Sequence, residues 1–154
     1  MEINQLYSKE NIEKAYKLKD RFLSLSELLA ALRQKSIPAE QAEKINRHVD
    51  SVNKFSGTNQ EFSKKISTEQ KSILKIVINE LKVVPVNYYR NLWTALGMSA
   101  FGIPFGVVFG LLVGNMAFLA IGLPIGMGVG VVLGSNMDKK AATEHRQLDV
   151  VIKY

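Results

Sequence analysis

Few residues in this chain have the types and spacing that catalysis or ligand binding would need. His48 stands among Lys44, Arg47 and Asp50, and His145 stands between Glu144 and Arg146. Either imidazole could serve as a proton donor or metal ligand, but no second histidine stands at ligand spacing, and the chain has no cysteine. Both are read as solvated surface residues. The absence of cysteine also removes disulfides and thiolate nucleophiles. Serine, histidine and aspartate occur, but none lies in a recognisable strained nucleophile turn. Gly126, Gly128 and Gly130 spell G-x-G-x-G, yet they lie inside an apolar run with no preceding strand and no charge nearby, so they are not a phosphate loop. No enzyme, cofactor or metal is expected.

The elements that carry these residues differ sharply in composition. Between Asn91 and Met137 there is no Asp, Glu, Lys, Arg or His, whereas residues 1–90 carry sixteen Lys/Arg and eleven Asp/Glu. A helix crosses the hydrocarbon core of a bilayer with about 20 apolar residues. The 47-residue uncharged run is long enough for two such helices and a tight turn. Gly114 and Asn115 tolerate the left-handed backbone that a reversal needs. The expected spans are 93–114 and 117–137, with Asn115-Met116 as the turn. The N-terminal MEINQLYSKENIEKAYK is polar and holds no apolar signal core.

Within the spans one pattern is written twice. FGIPFGVVFGLLVG places Gly102, Gly106, Gly110 and Gly114 four apart, and IGLPIGMGVGVVLG does the same with Gly122, Gly126, Gly130 and Gly134. Pro104 and Pro124 follow the opening glycines at matching places. Spacing by four lays the glycines along one helix face, where another helix can approach closely. Two uses compete: the ridges zip one hairpin shut, or at least one faces a neighbouring subunit. The short turn forces the spans to touch, which assigns one ridge to the hairpin. Gly128, two residues off the ridge, hints at a second small face and hence at lateral association. Each proline opens the turn before it, as a packing kink or as a flexible constriction.

Basic residues flank the run at Arg90 before it and at Lys139 and Lys140 after it, and the turn is uncharged. The positive-inside rule then puts both termini in the cytoplasm, with Tyr88, Tyr89 and Trp93 at the interface. No ionisable group lies within either span, which argues against a proton-coupled transporter. A pore would be lined by glycine backbone, Ser99 and apolar groups.

The soluble part shows three apolar stripes: Leu18, Phe22, Leu25, Leu29 and Leu32; Ala42, Ile45, Val49 and Val52; Ile66, Ile73, Val77, Leu81 and Val84. They predict helices over 9–35, 38–55 and 59–83. Pro38 and Gly57 mark boundaries. Capping-box spacing occurs at Thr58–Glu61 and at Ser24–Glu27, where a break is expected. Pro85 stops the third helix or kinks its passage into the membrane. The fold class is all-α: a three-helix bundle or arm over 1–84, a linker over 85–92, a transmembrane hairpin over 93–137 and a tail over 138–154. The tail LDVVIKY is short and β-prone, either without fixed structure or docked on a partner.

A net charge of +6, scattered among acids, allows contact with anionic headgroups but forms no basic face interleaved with aromatics, so nucleic acid is not an expected partner. The stretch from Tyr88 onward carries the G-x-P-x-G-x-x-x-G ladder, the Gly-Asn turn and the basic exit Asp138-Lys139-Lys140. It resembles the glycine-zipper membrane hairpins of many small bacterial proteins of unassigned function. The resemblance implies architecture and no chemistry. Two readings follow. One is a cytoplasmic-membrane scaffold or accessory subunit, self-associating or packed on a membrane partner, whose residues 1–84 dock a cytosolic protein. The other is an oligomeric channel or membrane-permeabilising pore.

Overall fold

A computed structural model describes residues 2–7 and 16–152 of the chain. It is all-α apart from one two-residue ladder, and it divides into two compact units. The first comprises Met1–Val84 and Leu148–Tyr154, the second Pro85–Gln147.

Three helices build the first unit: α1 (Tyr16–Arg33), α2 (Ala39–Asn53) and α3 (Asn59–Asn79). The predicted stripes make the core. Leu18, Leu25, Leu29 and Leu32 of α1, Ile45, Val49 and Val52 of α2, and Ile66, Ile73 and Val77 of α3 are all buried. Leu28 and Phe62 join them, while Phe22 and Leu81 pack at the margin. The expected start of α1 before Tyr16 falls outside the described residues.

Local signals decide the boundaries. Pro38 stands at the N-cap of α2, and Thr58 closes a full capping box on Glu61, each side chain bonding the other's backbone N–H. The second box spacing is not used. Ser24 lies in the middle of α1 without a break, and its hydroxyl accepts from Gln70 Nε2 of α3 at 2.9 Å in a buried pair. The box spacing occurs there by coincidence, because the flanking leucines hold the residue in a continuous helix. α3 ends at Asn79, earlier than its stripe. Pro85 kinks no helix; it sits in β1 (Val84–Pro85), which pairs with β2 (Gln147–Leu148).

The tail departs most from expectation. Leu148, Val150 and Ile152 are buried in the same core as the three helices, with Asp149 and Val151 turned outward. This alternation is the period of two of an extended chain. The tail docks on its own chain.

His48 is not a solvated surface residue either. It is half-buried and its Nδ1 lies 2.5 Å from Glu69 Oε2, whose carboxylate is buried between α2 and α3. Lys65 Nζ approaches Glu69 at 2.7 Å, and Ser51 Oγ donates to it at 3.4 Å. Burial pushes the Glu69 carboxyl up, but the hydrogen bonds from Lys65 and His48 outweigh it and leave the group below the usual carboxylate range. A depressed folded value stabilises the fold above the unfolded value and is lost as pH falls through the folded one. The urea midpoint is therefore expected to drop as pH falls from about 5 to about 3. Glu69→Gln should lower the neutral midpoint and flatten part of that slope. Glu61, bonded by the Thr58 backbone, and Glu80, bonded by Lys44, are shifted the same way and add to the slope. An equal slope in the variant would remove Glu69 from the account.

The second unit is a helical hairpin. Its first arm runs Tyr88–Val113 as α4 (Tyr88–Gly97), a π-helical segment (Met98–Gly102) and α5 (Ile103–Val113). A 3-10 turn (Met116–Phe118) leads into its second arm, α6 (Leu119–Thr143). Both arms are long and apolar enough to cross a membrane. They extend beyond the expected spans at the open end of the hairpin.

Candidate functional site

The described residues bring no group of three His, Asp or Glu side chains together as a metal would require. The arrangement with a built geometry is the seam of the hairpin, and it is made of backbone. Gly122, Gly126, Gly130 and Gly134 of α6 are buried, and so are Gly102, Gly106 and Gly110 opposite. A Cβ placed on Gly122 would lie 2.3 Å from the Gly102 carbonyl oxygen, and one on Gly126 2.4 Å from the Gly97 oxygen. On Gly130 it would meet the Trp93 oxygen at 2.0 Å, and on Gly134 the Tyr89 oxygen at 2.5 Å. No side chain intervenes, so the two helices meet main chain to main chain. Such contact suits dispersion and weak Cα–H to carbonyl bonds, the attractions left to helices in lipid.

The first arm's ridge contains a member the spacing by four does not reach. Gly97 is buried against Gly126 and Gly130, yet it stands five residues before Gly102. Five α-helical residues would rotate it roughly 140° around the axis from Gly102, well off the ridge. The π segment absorbs the extra residue, with Ile103 N–H bonding to the Met98 carbonyl, and returns Gly97 to the seam. Pro104 follows directly. It has no N–H for the Ala100 carbonyl, so the widened turn forfeits no bond that an α-turn would have kept there. Pro124 sits inside α6 without interrupting it. The repeat is thus unequal: one proline follows a π-bulge and the other lies in a regular helix.

Gly114 is not a packing residue. It has φ 70° and nothing within 4 Å of an added Cβ, and it terminates α5. Asn115 N–H reaches the Gly110 carbonyl at 2.9 Å, and the Asn115 side chain accepts from Ala117 N–H at 2.9 Å. The turn is a glycine C-cap followed by an asparagine-initiated 3-10 turn. Gly128 also has nothing within 4 Å and lies on the outer face.

At the open end the ridge passes from Gly134 to Asp138, one further step of four. Asp138 is buried, and its carboxylate oxygens accept from the backbone N–H groups of Tyr89 (3.0 Å) and Arg90 (2.9 Å). Asn87, the residue at the N-cap of α4, has φ 61° and caps nothing with its side chain. A carboxylate from the second arm therefore satisfies the first arm's free donors and sits at the positive end of its dipole. This residue was missed by sequence reasoning as part of a basic exit; its place on the every-fourth-residue ridge was the available signal. Asp138→Ala should destabilise the hairpin by about 3 kcal/mol in detergent unfolding, since charge-assisted bonds are lost and two donors are orphaned. Asp138→Asn should recover little, because one of its two amide atoms is itself a donor. An asparagine variant as stable as the parent would show that the carboxylate is not needed.

Around the same end, Arg90, Lys139 and Lys140 are exposed, Trp93 is half-buried, and Tyr88 and Tyr89 stack edge to face at 5.2 Å. The outer surfaces are apolar. Phe101, Phe105, Val108, Phe109, Leu111 and Leu112 on one arm, and Ile121, Ile125, Met127, Val129, Val132 and Leu133 on the other, are all exposed. Most of each arm's apolar stretch is exposed, which is the reverse of a soluble core helix. Ser99, exposed among them, returns its hydroxyl to the Ala95 and Leu96 carbonyls of its own helix.

No family model, curated protein or solved structure matches this chain.

Proposed function

We propose that the chain is an integral protein of a bacterial cytoplasmic membrane, in which the glycine-zipped hairpin anchors a cytosolic helical module that docks other proteins. It acts as a scaffold or accessory subunit. The observation that carries this is the hairpin's inside-out surface, apolar on its outer faces and closed on its inner seam by glycine backbone. At 1.5 Å per residue the 26-residue and 25-residue arms are about 39 and 37 Å long, enough for a hydrocarbon core of about 30 Å and part of the headgroup layer. Asp138 lies about 29 Å along α6 from Leu119, close to the full thickness of that core, which supports a place for it near the headgroups. Arg90, Lys139 and Lys140 gather at that end and the turn has no charge, which supports two cytoplasmic termini.

The glycine ladders are engaged within the hairpin, so lateral packing with a second copy or a membrane partner uses the outer faces, where Gly128 offers close approach. A conducting pore would likewise have to form between hairpins, because the arms of one leave no lumen. Alkaline extraction of membranes, with protease access to tags at both termini in sealed cells, tests the reading. Retention in the pellet with both tags protected is expected. Release into the supernatant, or a tag cleaved from outside, would overturn it.

A further inference from the structure

Residues 2–7 are held by side chains that address their main chain. Asn46 of α2 accepts from Asn4 N–H at 2.7 Å and donates to the Glu2 carbonyl at 2.9 Å. Two turns on, Asn53 repeats the contact, accepting from Tyr7 N–H at 3.0 Å and donating to the Gln5 carbonyl at 2.9 Å. From α1, Arg33 donates to the carbonyls of Ile3 (3.1 Å) and Asn4 (2.7 Å). Three side chains thus engage six main-chain groups of one short segment. A further bond joins Asn4 Nδ2 to Asp50 at 2.9 Å.

The periods match. Seven residues of helix rise about 10.5 Å, and three residues of a polyproline-II-like chain, whose period of three turns every third side chain the same way, cover about 9 Å. Two asparagines seven apart can therefore clamp an extended peptide at residues three apart. Each amide brackets one residue whose side chain turns inward: Ile3 is buried, and Leu6 packs on the core margin. Tyr7 is 69% exposed, and Glu2 and Gln5 are exposed too. A segment that only covered the core would need Ile3 and Leu6, but not paired amides in register with its backbone.

We infer that this face of α1 and α2 is a peptide-recognition site, which takes an extended segment with apolar side chains three residues apart from a partner polypeptide. Residues 2–7 are its competing occupant in cis. The clamps bind atoms that every polypeptide carries, and no contact requires covalent continuity with the chain. A second copy is the poorer occupant, since exchanging identical arms fills no additional site. The site belongs wholly to the helical unit, so it does not depend on the membrane assignment.

The test uses the full chain in detergent and a fluorescein-labelled peptide of residues 2–9, EINQLYSK. With Ile3→Ser and Leu6→Ser in the protein's own arm, saturable binding is expected, and the unaltered chain should bind about tenfold more weakly or worse, because its site is filled. Asn46→Ala or Asn53→Ala added to the arm variant should each weaken binding about tenfold through loss of a two-bond clamp. A peptide with serine in place of its isoleucine and leucine should not bind, and one with alanine in place of its Glu2 and Gln5 equivalents should bind unchanged. No saturable binding to an arm variant that keeps its helix content overturns the proposal, as does equal binding of the serine peptide. If the arm variant unfolds, a fluorophore at Gln5→Cys of the otherwise unaltered chain reports instead. Its release by millimolar peptide is expected, and an unchanged signal overturns the site. Exchange of arms between donor-labelled and acceptor-labelled copies would assign the groove to self-association and overturn the foreign partner.

Discussion

Ending the chain after Gln147 is expected to abolish cooperative unfolding of the helical unit at 25 °C. Leu148, Val150 and Ile152 are 1%, 6% and 5% exposed in a core otherwise built by α1, α2 and α3. Each such side chain contributes about 1.5–3 kcal/mol when buried, so together they rival the whole stability of a small domain, about 5–15 kcal/mol. Helix propensity cannot compensate, because isolated short helices are marginal in water. Far-UV circular dichroism through a urea titration reads the result: a sloping, non-cooperative loss in the truncated chain against a sigmoid in the parent. The outward positions of the same tail separate packing from mere length. Asp149→Ala and Val151→Ser should stay within about 0.5 kcal/mol of the parent. A truncated chain with the parental midpoint would make the tail peripheral. The arrangement also has a consequence for folding order. The core includes Ile3 at one end and Ile152 at the other, so the unit is complete only after the intervening hairpin has been made. The slowest native contacts are then those of highest sequence separation.

What could be read from residue order was whatever has a period or a cap. Three heptad-like stripes became three helices because apolar burial dominates their placement, and Thr58 with Glu61 became a capping box because both partners lie in one turn. The pair of apolar arms was legible from composition alone. Interactions that join distant segments were not. The Ser24–Glu27 spacing imitated a cap, and only the leucines around it decide otherwise. Gly97 was hidden by a spacing of five, which belongs on the seam only if the helix widens, and widening depends on the facing arm. Asp138 looked like part of a charged exit, since nothing near it in sequence needs a carboxylate. Its partners are amides 48 and 49 residues earlier. Asn46 and Asn53 read as ordinary polar positions of an amphipathic helix until an extended segment lay against them. The tail's alternation of Leu148, Val150 and Ile152 was present in the sequence, but five residues of period two do not say which surface they cover.

Gly130→Leu is expected to open the hairpin, whereas Gly128→Leu, two residues away, is expected to leave it closed. A Cβ at position 130 would meet Trp93 O at 2.0 Å, Trp93 C at 2.7 Å and Thr94 Cα at 3.0 Å. These atoms are helix backbone and cannot rotate away, so the arms must separate. Separation at one rung also loosens Gly126 and Gly134, each of which depends on the same close approach. The loss should reach about 3 kcal/mol or more, the upper range for overpacking. Even Gly130→Ala should destabilise, although alanine favours a helix by about 1 kcal/mol over glycine. At Gly128 nothing lies within 4 Å, so the propensity gain acts alone and either substitution should be neutral or mildly stabilising. The chain carries one tryptophan, and it is the residue whose carbonyl faces Gly130. Trp93 fluorescence during titration from mild detergent into SDS therefore reports the rung being tested. An earlier transition for Gly130→Leu with an unshifted one for Gly128→Leu locates the ladder inside one hairpin. The opposite order would mean that the ridge closes nothing within the chain and that the outer face carries the packing. Equal shifts at both positions would point to a generic effect of bulk in the helix, and the backbone seam would lose its claim to hold the two arms together.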